Sequence, residues 1–188
     1  MNKYLLENFF PLIQSVDSKP SESYILESLD LDRGSTQSIL IQLGNKIEEF
    51  WNNVISDSSS NNLIENDDIV FVDGKKRQVD HNFVSSVDDL NYYLESKTNL
   101  TFDSEKSKAS NKKVKEVQEA LGANVGSYFC PVVAEIPSSI LTSYNNKGID
   151  VFGVNWMLSK VDASFTSEEY FSFLREVAGP YLQEEKGL

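Results

Sequence analysis

The chain has very little sulfur or imidazole with which to do chemistry. Its 188 residues include one cysteine, Cys130, and one histidine, His81. A lone cysteine excludes an internal disulfide, offers too few thiolates for a zinc site, and fits a reducing compartment. A lone histidine removes multi-histidine metal centres and most Ser-His-Asp and Cys-His arrangements. Cations are scarce too: 17 lysines and arginines stand against 29 acids, a net charge of −12. That balance favours solubility and opposes non-specific affinity for polyanions, yet a local basic patch or a carboxylate-held metal can still create positive potential. No apolar run approaches the roughly 20 residues that span a bilayer. The apolar stretch after Lys3 is interrupted by Glu7 and Pro11 and precedes no small-residue cleavage site. No signal peptide and no membrane partner are therefore expected, and the expected location is cytoplasmic.

What remains suffices for a core. The chain is 40% hydrophobic and 11% aromatic, at a length that suits one domain over residues 1–188. Leu5, Leu6, Phe9, Phe10, Leu12, Ile13 and Val16 predict a short helix that ends before Lys19-Pro20-Ser21-Glu22. From Ser35 to Ile55, Ile39, Leu40, Leu43, Ile47, Phe50, Trp51 and Val54 recur at three and four and predict an amphipathic helix. Residues 57–68 are polar and read as an exposed loop.

Extended segments follow. Ile69–Val72 ends at Asp73-Gly74, a hairpin signal, and Arg77 to Val84 resumes as one strand. Residues 85–89 turn the chain into Leu90 to Leu100, which completes a three-strand meander. A helix from Asp103 to Leu121, stopped by Gly122, leads to a buried strand at Tyr128–Ala134 that a parallel crossover would set beside the meander. Residues 142–148 read as a loop and Val151–Val154 as a short strand. Thr166-Ser167-Glu168-Glu169 forms a capping box for a last helix, which Gly179-Pro180 should end. The expected fold is α/β, a central mixed β-sheet of antiparallel meander plus parallel crossover strand, flanked by helices.

Chemistry concentrates in the meander. Strand side chains alternate, so Glu95 and Lys97 face one way and Ser96 the other. Folding the hairpin about residues 85–89 puts Asp80 across from Glu95, joining two carboxylates and a lysine in one patch. Two carboxylates on adjacent strands can hold a hard divalent ion such as Mg²⁺ and leave coordination sites for water and a phosphate oxygen. A lysine beside them suits developing charge or an attacking water.

The segment Gln78-Val79-Asp80-His81…Tyr92-Tyr93-Leu94-Glu95-Ser96-Lys97 resembles the PD-(D/E)XK nuclease superfamily, and most of all its small type II restriction endonucleases. The resemblance covers about residues 75–110, with Val79 in place of the proline that names the motif. It implies a restriction-endonuclease-like core over about residues 36–135. It implies metal ligands at Asp80, Glu95 and the Ser96 backbone carbonyl, a catalytic lysine at Lys97, and Mg²⁺ as cofactor, with Mn²⁺ able to substitute. Many relatives add an acid from the helix before the sheet, for which Glu48 is the candidate. The expected function is sequence-specific cleavage of double-stranded DNA by a homodimer, whose two-fold axis matches a palindrome. Lys75, Lys76, Arg77, Lys106, Lys108 and Lys112 are candidate phosphate contacts. Two other readings stay open: a repair, recombination or phage DNA-processing nuclease of the same fold, and a non-catalytic acidic mimic of DNA.

Overall fold

Stacked aromatic rings assemble the first of two compact units, residues 1–51 with 164–188; the second comprises residues 52–163. The computed structural model describes residues 1–16, 34–58, 61–63, 69–100 and 104–186, the side chains of 34–37, 61–63 and 104–107 excepted. The expected turn at residues 19–22 lies outside them. In the first unit a π-helical turn (Leu5–Phe9) leads into α1 (Phe10–Gln14); the long helix α2 (Gly34–Asp57), which continues into the second unit from Asn52, buries Ile39, Ile47, Phe50, Trp51 and Val54 of the stripe seen in its spacing and leaves Leu40 exposed. Phe50 stacks on Phe9 with ring centroids 4.2 Å apart, and Tyr170 and Phe173 close over Phe9. The indole N–H of Trp51 donates to the Tyr170 hydroxyl at 3.3 Å.

Thr166 caps α6 (Ser167–Phe173) as its sequence predicts. Its hydroxyl accepts from the Glu169 N–H at 3.2 Å, while the Glu169 carboxylate accepts from the Thr166 N–H at 2.8 Å. Gly179-Pro180, expected to end this helix, does not. A π turn (Leu174–Ala178) carries the chain on into α7 (Gly179–Lys186). Pro11 follows the same device: the residue before each proline, Phe10 or Gly179, donates its N–H to the carbonyl five residues back, Leu5 or Leu174. The widened turn makes room for a ring that lacks an N–H and would otherwise crowd the carbonyl four residues earlier.

The second unit holds the sheets. Strands β1 (Asn61–Leu63), β4 (His81–Ser85), β5 (Leu90–Ser96), β6 (Val125–Phe129) and β7 (Val151–Phe152) form one mixed sheet in the order β1-β4-β5-β6-β7. Pairings β1·β4 and β4·β5 are antiparallel, while β5·β6 and β6·β7 are parallel. The crossover from β5 to β6 runs through α3 (Ser104–Leu121), which ends where Gly122 takes φ 63°. Val114 and Val117 of α3 bury against Tyr93 and Tyr128 on one face of the sheet, together with Tyr144 of α4 (Ser138–Asn145). On the other face Tyr92 meets Trp156 of α5 (Val154–Leu158) edge-on. Among the described residues no helix is long and apolar enough to cross a membrane.

Several local expectations change: the buried strand expected at 128–134 lies at Val125–Phe129, the strand expected to reach Leu100 stops at Ser96, and Val154 starts α5 instead of ending a strand. The meander is not continuous: among the described residues β2 (Ile69–Val72) pairs only with β3 (Lys75–Gln78) in a separate two-stranded ribbon, because the expected strand 77–84 breaks at Val79-Asp80. The polar stretch 57–68 contributes β1 through pairs such as Leu63↔Phe83, although residues 64–68 lie outside the described ones. Residues 142–145, expected as loop, complete α4, whose buried Tyr144 donates its hydroxyl to the Leu100 carbonyl at 3.0 Å.

Candidate active site

The β4–β5 ladder sets the site. His81 pairs with Leu94, so one further step places Asp80 across from Glu95, just where β4 gives way to Val79 and the ribbon. A continuing strand would offer a backbone carbonyl to the Ser96 N–H. The Asp80 carboxylate takes that donor instead, at 2.8 Å, which satisfies the ladder while the backbone turns aside. Val79 stays buried in the core cluster and anchors the turn.

Glu95 points with Tyr93 toward α3. Its Oε2 accepts from the Tyr93 hydroxyl at 2.8 Å and from Lys113 Nζ at 2.6 Å, and its Oε1 lies 3.5 Å from Lys97 Nζ. The Glu95 side chain is 6% exposed, against 27% for Lys97 and 24% for Lys113, so a nearly buried carboxylate opens to solvent through two ammonium groups. Burial, then the charges of Glu95 and Asp80, push the Tyr93 hydroxyl far above its ordinary range and keep it a donor. Tyr128 is pushed up to about 12, chiefly by burial, and donates to Asn111 Oδ1 at 2.9 Å. The patch sits at the carboxyl ends of the parallel strands β5 and β6, the usual place for ligands in sheets of this kind.

Of the residues singled out from the sequence, Asp80, Glu95, Ser96 and Lys97 come together here. Glu48 is half-buried on α2 in the first unit, whereas these four belong to the second. Arg77 and Lys112 both bind Glu116, at 2.8 and 3.5 Å, so each already serves a carboxylate and Arg77 ties the ribbon to α3. Lys75, Lys76 and Lys108 are exposed, and the Lys106 side chain lies outside the described residues. Lys113, which by sequence is one of a run of lysines open to phosphate contact or to a solvated face, instead meets Glu95. At about 100° per residue it falls only about 40° from buried Val117, whereas Lys112 falls on the opposite side of the helix, and that phase was the available signal.

His81 serves the fold and not this site. It is buried on the opposite face of the sheet, with Nδ1 2.6 Å from Asn52 Oδ1 and its ring edge-on to Phe129. Burial lowers its pKa from 6.5 to about 3. The unfolded chain takes up a proton near 6.5 and the native chain does not. The stabilisation is therefore complete above that pH and is lost as pH falls toward 3. Unfolding free energy should drop about 1.4 kcal/mol more per pH unit across that window in the parent than in His81→Phe. Urea titrations of both proteins at several pH values check this, and identical slopes would refute it.

No protein-family model matches the chain, and no curated protein matches it.

Proposed function

We propose that the chain is a Mg²⁺-dependent endonuclease that hydrolyses phosphodiesters in double-stranded DNA, with a restriction-endonuclease-like core acting as a homodimer. The observation that carries this reading is the Asp80 carboxylate on the Ser96 N–H, beside Glu95 and Lys97 at the end of β5. Among the described residues no group of three or more His, Cys, Asp or Glu side chains gathers to hold a metal. The donor set is instead two carboxylates with the Ser96 carbonyl, which fits a small hard cation that keeps most of its water and uses one or two protein carboxylates. Asp80, Glu95 and that carbonyl would hold Mg²⁺, with Mn²⁺ able to replace it. Bound there, the ion supplies Lewis acidity and a water of lowered pKa.

The chain's own groups divide the remaining work. Lys97, on the Glu95 face and a quarter exposed, carries positive charge to the scissile phosphate and orients the attacking water. Tyr93 holds the Glu95 carboxylate in place and acts as a positioning residue, while the Lys113 ammonium shares Oε2 with any cation bound there. Neither histidine nor a covalent enzyme intermediate is needed. A two-fold pair would present one such site to each strand of a palindrome.

The test is incubation of the purified chain with mixed plasmid DNA in Mg²⁺, Mn²⁺, Ca²⁺ or chelator, followed by sequencing of the ends. Cleavage with Mg²⁺ or Mn²⁺ at a recurrent sequence is expected, with Ca²⁺ a poor substitute because of its larger, looser oxygen shell. Full activity in chelator would sink the metal assignment. Ends found only at branches or mismatches would move the reading to DNA repair.

A further inference from the structure

The β2–β3 ribbon has two unlike faces. Directly paired residues of an antiparallel ribbon project to the same side, so Val70↔Arg77 and Val72↔Lys75 share one face while Ile69↔Gln78 and Phe71↔Lys76 share the other. The first face is anchored: Val70 packs against the core cluster, and Arg77 donates to Glu116 of α3 at 2.8 Å. The second leaves Phe71 71% exposed, beside exposed Lys76 and Gln78. At the tip, Asp73 and Gly74 take φ 49° and 73°, the tight turn that keeps two strands closely twisted together. At the root, Val79 leads directly to Asp80.

Charge singles out the same region. Residues 69–78 and 104–116, the ribbon and the part of α3 it is tied to, hold eight of the chain's 17 lysines and arginines but only three of its 29 acids. In a chain of net charge −12 this is a cationic island, and its complement is a polyanion. An aromatic ring, an amide and an ammonium group on one narrow face are also the side chains that meet thymine methyls, adenine edges and phosphates.

From these features, and resting on the endonuclease reading, we propose that the β2–β3 ribbon is a DNA-reading arm whose outward face enters the major groove beside the site. A two-stranded ribbon fits that groove, about 12 Å wide. Lys76 stands four residues from Asp80, a reach of at most about 13 Å at strand rise, well within one turn of the duplex. On that face Lys76 neutralises a phosphate flanking the cut, Gln78 faces a base edge, and Phe71 lies against the groove floor.

The experiment compares the full chain with Phe71→Ser and Lys76→Ala, both at exposed positions. It measures metal-free binding of a short fluorescent duplex and of the matching single strand over a range of salt, plasmid cleavage in Mg²⁺, and sedimentation. Each variant is expected to lose about tenfold in duplex affinity, with Lys76→Ala also lowering the salt slope by about one. Phe71→Ser should blur discrimination between cognate and altered sites. Variants that bind and cut as the parent does, while the parent is an active nuclease, overturn the arm and leave the endonuclease reading standing. A parent that neither binds nor cuts DNA overturns both. Equal losses on single-stranded DNA overturn groove entry in favour of base stacking, and an effect confined to sedimentation overturns the arm in favour of self-association.

Discussion

Lys97→Met lowers Mg²⁺-dependent cleavage by about a hundredfold or more while the protein stays folded; this is the expected result on which the active-site assignment turns. Lys97 is part exposed and 3.5 Å from Glu95 Oε1, so its removal costs little stability. Glu95→Gln should be at least as damaging to cleavage, and it should also cost about 1–2 kcal/mol. That variant turns a nearly buried carboxylate into an amide facing two ammonium groups, each softened by its own access to water. Lys113→Met separates competition for the Glu95 carboxylate from mere packing. Its ammonium holds Glu95 Oε2 at 2.6 Å and competes with a divalent cation for that oxygen, so the Mg²⁺ concentration giving half-maximal rate should fall. A packing role would leave that concentration unchanged. Ser96→Ala should be mild, since the bond to Asp80 uses the backbone N–H. The measurements are cleavage rate and half-saturating metal for each folded variant, and parental rates in Lys97→Met or Glu95→Gln would remove the assignment.

Phe50→Ala is expected to lower the unfolding free energy by about 3–5 kcal/mol, a large share of the roughly 5–15 kcal/mol typical of a domain. The ring is fully buried and stacks on Phe9 at 4.2 Å and 12°, with Trp51, Phe165 and Tyr170 centred 5.7, 5.8 and 6.1 Å away. Truncation removes those contacts together, and such large rigid rings collapse poorly into the space left behind. Phe50→Leu should recover part of the loss. Urea unfolding checks both, and a change below about 1 kcal/mol in Phe50→Ala would show that the aromatic cluster does not hold the first unit together.

Much of the molecule follows from local pattern alone. The apolar spacing of residues 35–55 yields α2, Asp73-Gly74 yields the ribbon's turn, Gly122 ends α3, and Thr166 with Glu169 builds a capping box. Each is decided within one or two turns of chain, where periodicity and φ preferences act. Even the meeting of Asp80 and Glu95 is arithmetic about a turn: once Ser85 pairs with Leu90, every partner pair follows, down to His81 with Leu94 and the step beyond.

What local pattern leaves undecided is which edge pairs with which. Arg77 to Val84 is extended throughout by propensity, yet Val79 is drawn into the core beneath the ribbon, the Asp80 carboxylate takes the Ser96 N–H, and one expected strand becomes β3 and β4 in separate sheets. The polar stretch before Ile69 joins the sheet as β1 because its backbone can pair whatever its side chains are. Helical phase alone brings Lys113 only to the border of the apolar stripe. The packing of Val114 and Val117 against Tyr93 and Tyr128 then turns its ammonium onto Glu95. Periodicity determines what each segment can be, whereas burial and the satisfaction of distant polar groups, which require the whole chain to have closed on itself, determine which segments meet.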